Sequence, residues 1–211
     1  MQSPSPRVIE TNTSLQTSNS FFTTTQSPLS LTRTLDATCH IPSYPDCSNL
    51  MSSLATQLST TACKSDLSLE NPLATQAYAG LQAYDTLYRA ACLTDAETGN
   101  YCYADAVSNT SAPTSSYVYY LPLGMQLPAG TRPACTPCLK DTMSIFAAAA
   151  GNRTNPLRGD YAQAAQIVLM GCGPGFVEAG VVVSGSARAI GSVGVSVVAL
   201  AALVVNLLML F

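Results

Sequence analysis

The chain has no tryptophan, a single histidine, and charged side chains at only 10% of its 211 positions. Each scarcity removes a class of function. A net charge of −3 and a pI near 4.9 provide no basic field to hold a phosphate backbone or an anionic bilayer, so nucleic-acid binding is excluded. A Ser-His-Asp or Cys-His arrangement would have to use His40, which sits beside Cys39 and ahead of Pro42, and no Gly-x-Ser-x-Gly elbow supplies a nucleophile. His40 therefore reads as an exposed loop residue. A zinc site built on a Cys-x-x-Cys pair needs two more ligands at short spacing, which the chain lacks, so neither metal nor cofactor is expected. The start also lacks a basic stretch followed by an apolar run. No secretory leader is legible there, and the natural N-terminus is expected upstream of Met1.

Charge is absent from the end as well. From Ile190 to Phe211 there is no ionisable side chain, and 22 residues at about 1.5 Å each give roughly 33 Å of helix, enough to cross a hydrocarbon core. No Lys or Arg follows to hold a cytoplasmic end. Upstream, Ser184-Gly185-Ser186 offers small residues, then a short spacer, then the apolar run, the layout of a glycosylphosphatidylinositol (GPI) attachment signal. Lipid attachment at Ser184 or Gly185 is the preferred expectation; a membrane span or tail anchor is the alternative.

What the chain has in quantity is cysteine. Cys39, Cys47, Cys63, Cys92, Cys102, Cys135, Cys138 and Cys172 form an even set across the middle of the sequence, as expected of disulfides made in an oxidising compartment. Their pairing is not readable from spacing. Sequons at Asn12, Asn109 and Asn152 agree with that compartment and mark expected N-glycosylation sites.

Periodicity divides the chain into four parts. Residues 1–34 hold fifteen Ser or Thr and read as a largely disordered segment with little part in a core. Residues 35–178 read as one mainly α-helical, disulfide-stapled domain. Its first helix carries Cys47, Leu50 or Met51, Leu54 and Leu58, with Asp46 as N-cap. A second follows Asn71-Pro72 and places Leu73, Ala77, Leu81, Tyr84, Tyr88 and Cys92 on one face. After a helical turn near "YCYADAVSN", the Tyr/Pro/Gly-rich stretch from Ser115 to Pro133 favours extended backbone, an ordered loop or short hairpin. Two more helices follow, one carrying Leu139, Met143, Phe146 and Ala150, the other capped by Asp160 and ended by "GCGPG". That makes about four helices. Residues 179–189 read as a linker of small residues, and 190–211 as the hydrophobic tail.

These segments carry a resemblance. "NPLATQAYAGLQAYDTLYRAACLTDAETGNYCYADAVSN", "YVYYLPLGMQLPAGTRPACTPCLKDTMSIFAAAA" and "YAQAAQIVLMGCGPGFV" resemble an uncharacterised family of fungal, secreted, GPI-anchored cysteine-rich proteins, over roughly Ser14 to Val177. The resemblance implies a location and a helical fold, and brings no activity, ligand or catalytic residue.

Chemistry has few places to reside. Cys135-Thr136-Pro137-Cys138 precedes a helix, where the macrodipole would lower a thiol pKa as in thioredoxin-like oxidoreductases. The preceding "LPAGTRPA" is no buried strand, so structural disulfide halves are the better reading. Asp95, Glu97 and Asp105 cluster in sequence and would supply a hydrolase pair; helix-end and turn solvation is the plainer reading. Tyr117, Tyr119 and Tyr120 suit either a stacking surface for glycan or peptide, or a core. The expectation is a non-enzymatic surface or cell-wall protein, joined to the membrane through its C-terminus, with cell-wall glycan or a surface protein as partner. An extracellular thiol oxidoreductase or carboxylate hydrolase is the alternative.

Overall fold

A computed structural model of the chain describes residues 27–152 and 155–180. Seven α-helices run through them: α1 (Pro28–Cys39), α2 (Tyr44–Gln57), α3 (Lys64–Ser68), α4 (Pro72–Ala91), α5 (Cys102–Ser108), α6 (Pro137–Ala150) and α7 (Leu157–Cys172). A π-helical turn, Leu58–Ala62, prolongs α2, and a 3-10 helix spans Pro113–Leu123. There is no strand among the described residues; Thr94 and Tyr101 make one isolated antiparallel bridge.

Local chemistry sets several of these boundaries. Pro28, Pro72 and Pro137 each open a helix at a position whose N–H would have no partner anyway. Asn71 caps α4 by accepting from the N–H groups of Leu73 and Ala74, and Thr136 caps α6 by accepting from Leu139. Gly173 ends α7 at φ +94°, a conformation that side-chain-bearing residues avoid.

The main core lies where α4, α5, α6, α7 and the 3-10 helix meet. Phe146, Tyr161, Met143, Leu121, Leu157 and Val168 are wholly removed from solvent there. Burial of each such side chain contributes about 1.5–3 kcal/mol. A second, smaller cluster of Cys47, Met51 and Tyr84 joins α2 to α4.

The structure revises several expectations. The Ser/Thr-rich start gives way to helix at Pro28, and Leu31 and Leu35 of α1 are buried, so the domain begins before residue 35. The segment expected as a loop or hairpin is a 3-10 helix through Leu123: Ser115, Val118 and Leu121 are buried at steps of three, the period at which 3-10 side chains align. No partner strand is present among the described residues to satisfy its β propensity, so packing decides. Asp46 and Asp160 lie in the first turns of α2 and α7, and the cap positions belong to Ser43 and Pro156. Leu73 and Ala77, expected on the apolar face of α4, are exposed, Leu73 at 78%, and the buried face of that helix begins at Gly80.

No described helix is long and apolar enough to cross a membrane. The hydrophobic tail at 190–211, the attachment residues Ser184 and Gly185, and the sequon at Asn12 lie outside the described residues.

Candidate functional site

Three places hold the residues that matter chemically. The first is the cysteine set. Cys39 at the end of α1 bonds Cys92 after α4; Cys102 at the start of α5 bonds Cys138 in α6; Cys135 bonds Cys172 at the end of α7. Six of the eight expected half-cystines are thus paired, at helix ends as their placement in the sequence implies. Cys47 and Cys63 remain thiols. They sit sixteen positions apart along the nearly continuous helix of α2 and its π turn, about 24 Å at 1.5 Å per residue, whereas a disulfide needs Cα atoms about 5.5–6 Å apart. The Cys-x-x-Cys pair is divided between two distant partners, so neither sulfur is a thiol and no local dithiol exists to cycle.

The second place is a cavity of about 70 Å³ lined by Asp95, Asp105, Asn109, Ser115, Tyr119 and Thr136, among others. Of the three carboxylates clustered in sequence, the fold brings Asp95 and Asp105 to this cavity and leaves Glu97 outside it. Asp95 Oδ1 accepts from the N–H groups of Thr98 (3.0 Å) and Glu97 (2.9 Å) in the turn that precedes the bridge to Tyr101. Those bonds, with Thr98 the stronger influence, hold its carboxyl below the usual range. Asp95 Oδ2 lies 3.8 Å from Cys138 Sγ, which is disulfide-bonded and has no proton to donate. Asp105 accepts from the Asn100 amide at 3.3 Å. A space of this size takes a few water molecules, and small-molecule clefts run to about 300–1,000 Å³. An ionised, turn-capping Asp95 is the reverse of the raised-pKa acid that glycoside hydrolysis needs.

The third place, unforeseen in the sequence, is a groove of about 540 Å³ between α2 and α4, closed at one side by Ala148, Ala149, Asn152 and Asn155. The α2 side presents Ser48, Ser52, Thr56 and Ser59. Across from them α4 presents Tyr78, Gln82, Asp85 and Arg89, also at helical steps of three and four. The two helices run antiparallel, with Asp85 as the clamp: its Oδ1 accepts from Tyr44 Oη and, at 3.3 Å, from Ser48 Oγ. Tyr44 also stacks on Tyr88 with ring centroids 4.1 Å apart. Burial, and then the hydrogen bond to Asp85, raise the Tyr44 phenol well above its ordinary pKa. Tyr84 is raised too, by burial first and by Cys47 beside it. The signal that would have revealed this groove is the Ser/Thr stripe at 48, 52, 56 and 59, one face of a helix whose adjoining face carries Cys47, Met51 and Ala55.

The remaining expected residues take modest positions. His40 is exposed and donates from Nδ1 to the Asp36 carbonyl at 3.0 Å. Tyr117 is 44% exposed, Tyr120 is half-buried, and Tyr119 is buried with its hydroxyl 3.2 Å from Thr142 Oγ1. The three tyrosines therefore form no continuous stacking surface. The Asn109 amide oxygen accepts from Ser111 and Ala112 N–H, both at 3.0 Å, and Asn152 is exposed after α6.

A family model described as a domain of unknown function, DUF7729, matches residues 10–181. The chain belongs to the DUF7729 family. No curated protein and no solved structure matches it. The DUF7729 match takes in every described helix and all eight cysteines, so the three cross-links and the α2–α4 groove of this chain lie within the matched residues.

Proposed function

We propose that this DUF7729 chain is a non-enzymatic surface protein: a disulfide-stapled helical domain facing an oxidising exterior, joined to the membrane through its C-terminus, and serving in structure, adhesion or ligand binding. The observation that supports this most is the set of three long-range disulfides at helix ends. Such bonds persist outside reducing compartments and give a small domain durability. The GPI signal at Ser184 or Gly185, glycans at Asn109 and Asn152, and the fungal cell-wall setting belong to the same proposal. They rest on the sequence pattern of the tail, the sequons and the resemblance.

The test is to express the full-length gene in a fungal host and treat intact cells with phosphatidylinositol-specific phospholipase. Release of a species ending at Ser184 or Gly185 supports the lipid anchor. Retention with an intact tail assigns residues 190–211 to a span instead. Recovery from the cytosol with every cysteine reduced would overturn the surface reading. A hydrolase is the second reading, favoured by one observation, that Asp95 and Asp105 share a cavity; the cavity's small volume and the lowered Asp95 pKa weigh against it.

A further inference from the structure

The three disulfides differ in how open they are to a further sulfur. Cys102 and Cys138 are buried, at 3% and 9% exposure, and Cys39 and Cys92 are half-buried. Of the three, the Cys135–Cys172 bond alone has an exposed end, at Cys135. Its other sulfur belongs to a residue flanked by Gly171 and Gly173, which have no side chains to cover it, and a Cβ placed on Gly173 would meet nothing within 4 Å. Exchange requires a thiolate to reach the sulfur it attacks, so this bond is the accessible one.

Charge distinguishes the two cysteines of the Cys-x-x-Cys pair, independently of access. Asp95 Oδ2 lies 3.8 Å from Cys138 Sγ, and a carboxylate there opposes a thiolate at Cys138. Cys135 immediately precedes Thr136, the N-cap of α6, and the first turn of that helix holds no acidic residue. The N-terminal end of a helix favours a negative charge. Arg132 is fixed nearby: its backbone N–H donates to Thr114 Oγ1 at 2.9 Å and its guanidinium to the Thr131 carbonyl at 2.9 Å, while its stem lies 4.0 Å from where Gly171 would carry a Cβ. The cation is thus held beside the residue that precedes Cys172, where it supports a thiolate at Cys135. A sulfur stabilised as a thiolate leaves faster.

We propose that Cys135–Cys172 is a site of thiol–disulfide exchange, opened by a dithiol partner while Cys39–Cys92 and Cys102–Cys138 stay closed. The partner's thiolate attacks Cys172 Sγ and forms a mixed disulfide, and the Cys135–Cys172 bond breaks with Cys135 leaving as a thiolate. The partner's second thiol gives its proton to solvent and attacks the partner's own sulfur in the mixed disulfide; Cys172 leaves as a thiolate and takes a proton from solvent. Two electrons pass to the cysteine pair, and the dithiol departs as a disulfide. The bond is the covalent tie between the loop before α6 and the end of α7. With it open, the hold on residues 173–178 passes to noncovalent contacts: the Tyr161 hydroxyl donating to the Glu178 carbonyl at 2.8 Å, and Phe176 and Val177 packed against the core. The inference depends on the three bonds and not on the lipid anchor.

The experiment exposes the full-length oxidised chain in detergent to rising dithiothreitol, alkylates the thiols at each step and maps them by peptide mass. Cys63→Ser removes the more accessible of the two free thiols, which would otherwise exchange within the chain. Cys135 and Cys172 are expected to be labelled together at a dithiol concentration about tenfold below that which opens either other bond, with the helical circular dichroism unchanged. Earlier or simultaneous opening of Cys39–Cys92 or Cys102–Cys138 overturns the proposal, as does loss of helix at the first opening. Arg132→Met removes the cation and keeps most of the stem; it should slow the opening about two- to fivefold, and Arg132→Lys should restore the parent rate. Equal rates in all three chains overturn the role of Cys135 as the leaving sulfur.

Discussion

Removing the Cys39–Cys92 bond asks how far the covalent staples carry the fold. The bond joins the last residue of α1 to the residue after α4 across a sequence separation of 53. In the chain-entropy account the constraint removes about 14 cal/mol/K from the unfolded ensemble, or about 4 kcal/mol at 25 °C. Both half-cystines are only half-buried, so Cys39→Ala with Cys92→Ala loses little packing, and the effect falls on the unfolded state. Against a typical domain stability of about 5–15 kcal/mol, this is a large fraction. At this domain size it amounts to about 8–16 °C in melting temperature. The assay is urea unfolding of parent and double variant followed by circular dichroism. The midpoint should fall, and the slope should rise because the unlinked chain exposes more surface. Thiol titration of the denatured, unreduced parent comes first and should find two thiols, Cys47 and Cys63. Four or more would refute the pairing. Two thiols with a stability loss below about 1 kcal/mol would refute the entropic argument.

Other outcomes follow from single features. Leu31→Ala should cost about 2–5 kcal/mol if α1 belongs to the core, measured by the same unfolding curves; a loss near zero would return residues 28–39 to a peripheral role. Asn71→Ala removes the side chain that accepts from Leu73 and Ala74 and should cost about 1 kcal/mol, with Asn71→Ser restoring most of it. Burial pushes Tyr101, Tyr119 and Tyr161 up to about 12, helped at Tyr101 by its hydrogen bond to Asp36. Unfolded tyrosines release their protons near pH 10, so the folded state binds more protons above that value. The stability they contribute is complete below about pH 10 and is lost as pH rises toward about 12. A urea midpoint unchanged from about pH 9 to about pH 11 would contradict this.

The parts of the fold legible in the sequence are those whose signals are local. Asn71-Pro72 announces α4 because the cap and the first helical residue are adjacent, and Gly173 ends α7 because one φ angle decides the stop. The start of α1 was obscured by composition: Leu31, Leu35 and Cys39 recur at steps of four, yet Ser and Thr between them gave the stretch the character of a tail. The 3-10 helix was misread because Tyr and Val favour strands in general, and only the surrounding helices determine that this segment meets a curved core instead of a sheet. Cysteine pairing is longer-range still. That Cys135 turns to Cys172 and Cys138 to Cys102 depends on how α5, α6 and α7 pack, which no spacing encodes.

The groove is illegible in the sequence for a related reason. A hydroxyl stripe on a helix is a solvent face unless a second helix stands opposite it, and the register of α2 on α4 becomes visible only through contacts such as Ser48 with Asp85. The three disulfides tie α1 to the end of α4, α5 to α6, and the loop before α6 to α7, and none reaches α2 or α3. The α2 wall is held instead by the Cys47, Met51 and Tyr84 cluster and by the two hydrogen bonds at Asp85. Noncovalent contacts open locally at lower free energy than cross-linked ones. The domain therefore joins a rigid, stapled body to one wall able to adjust.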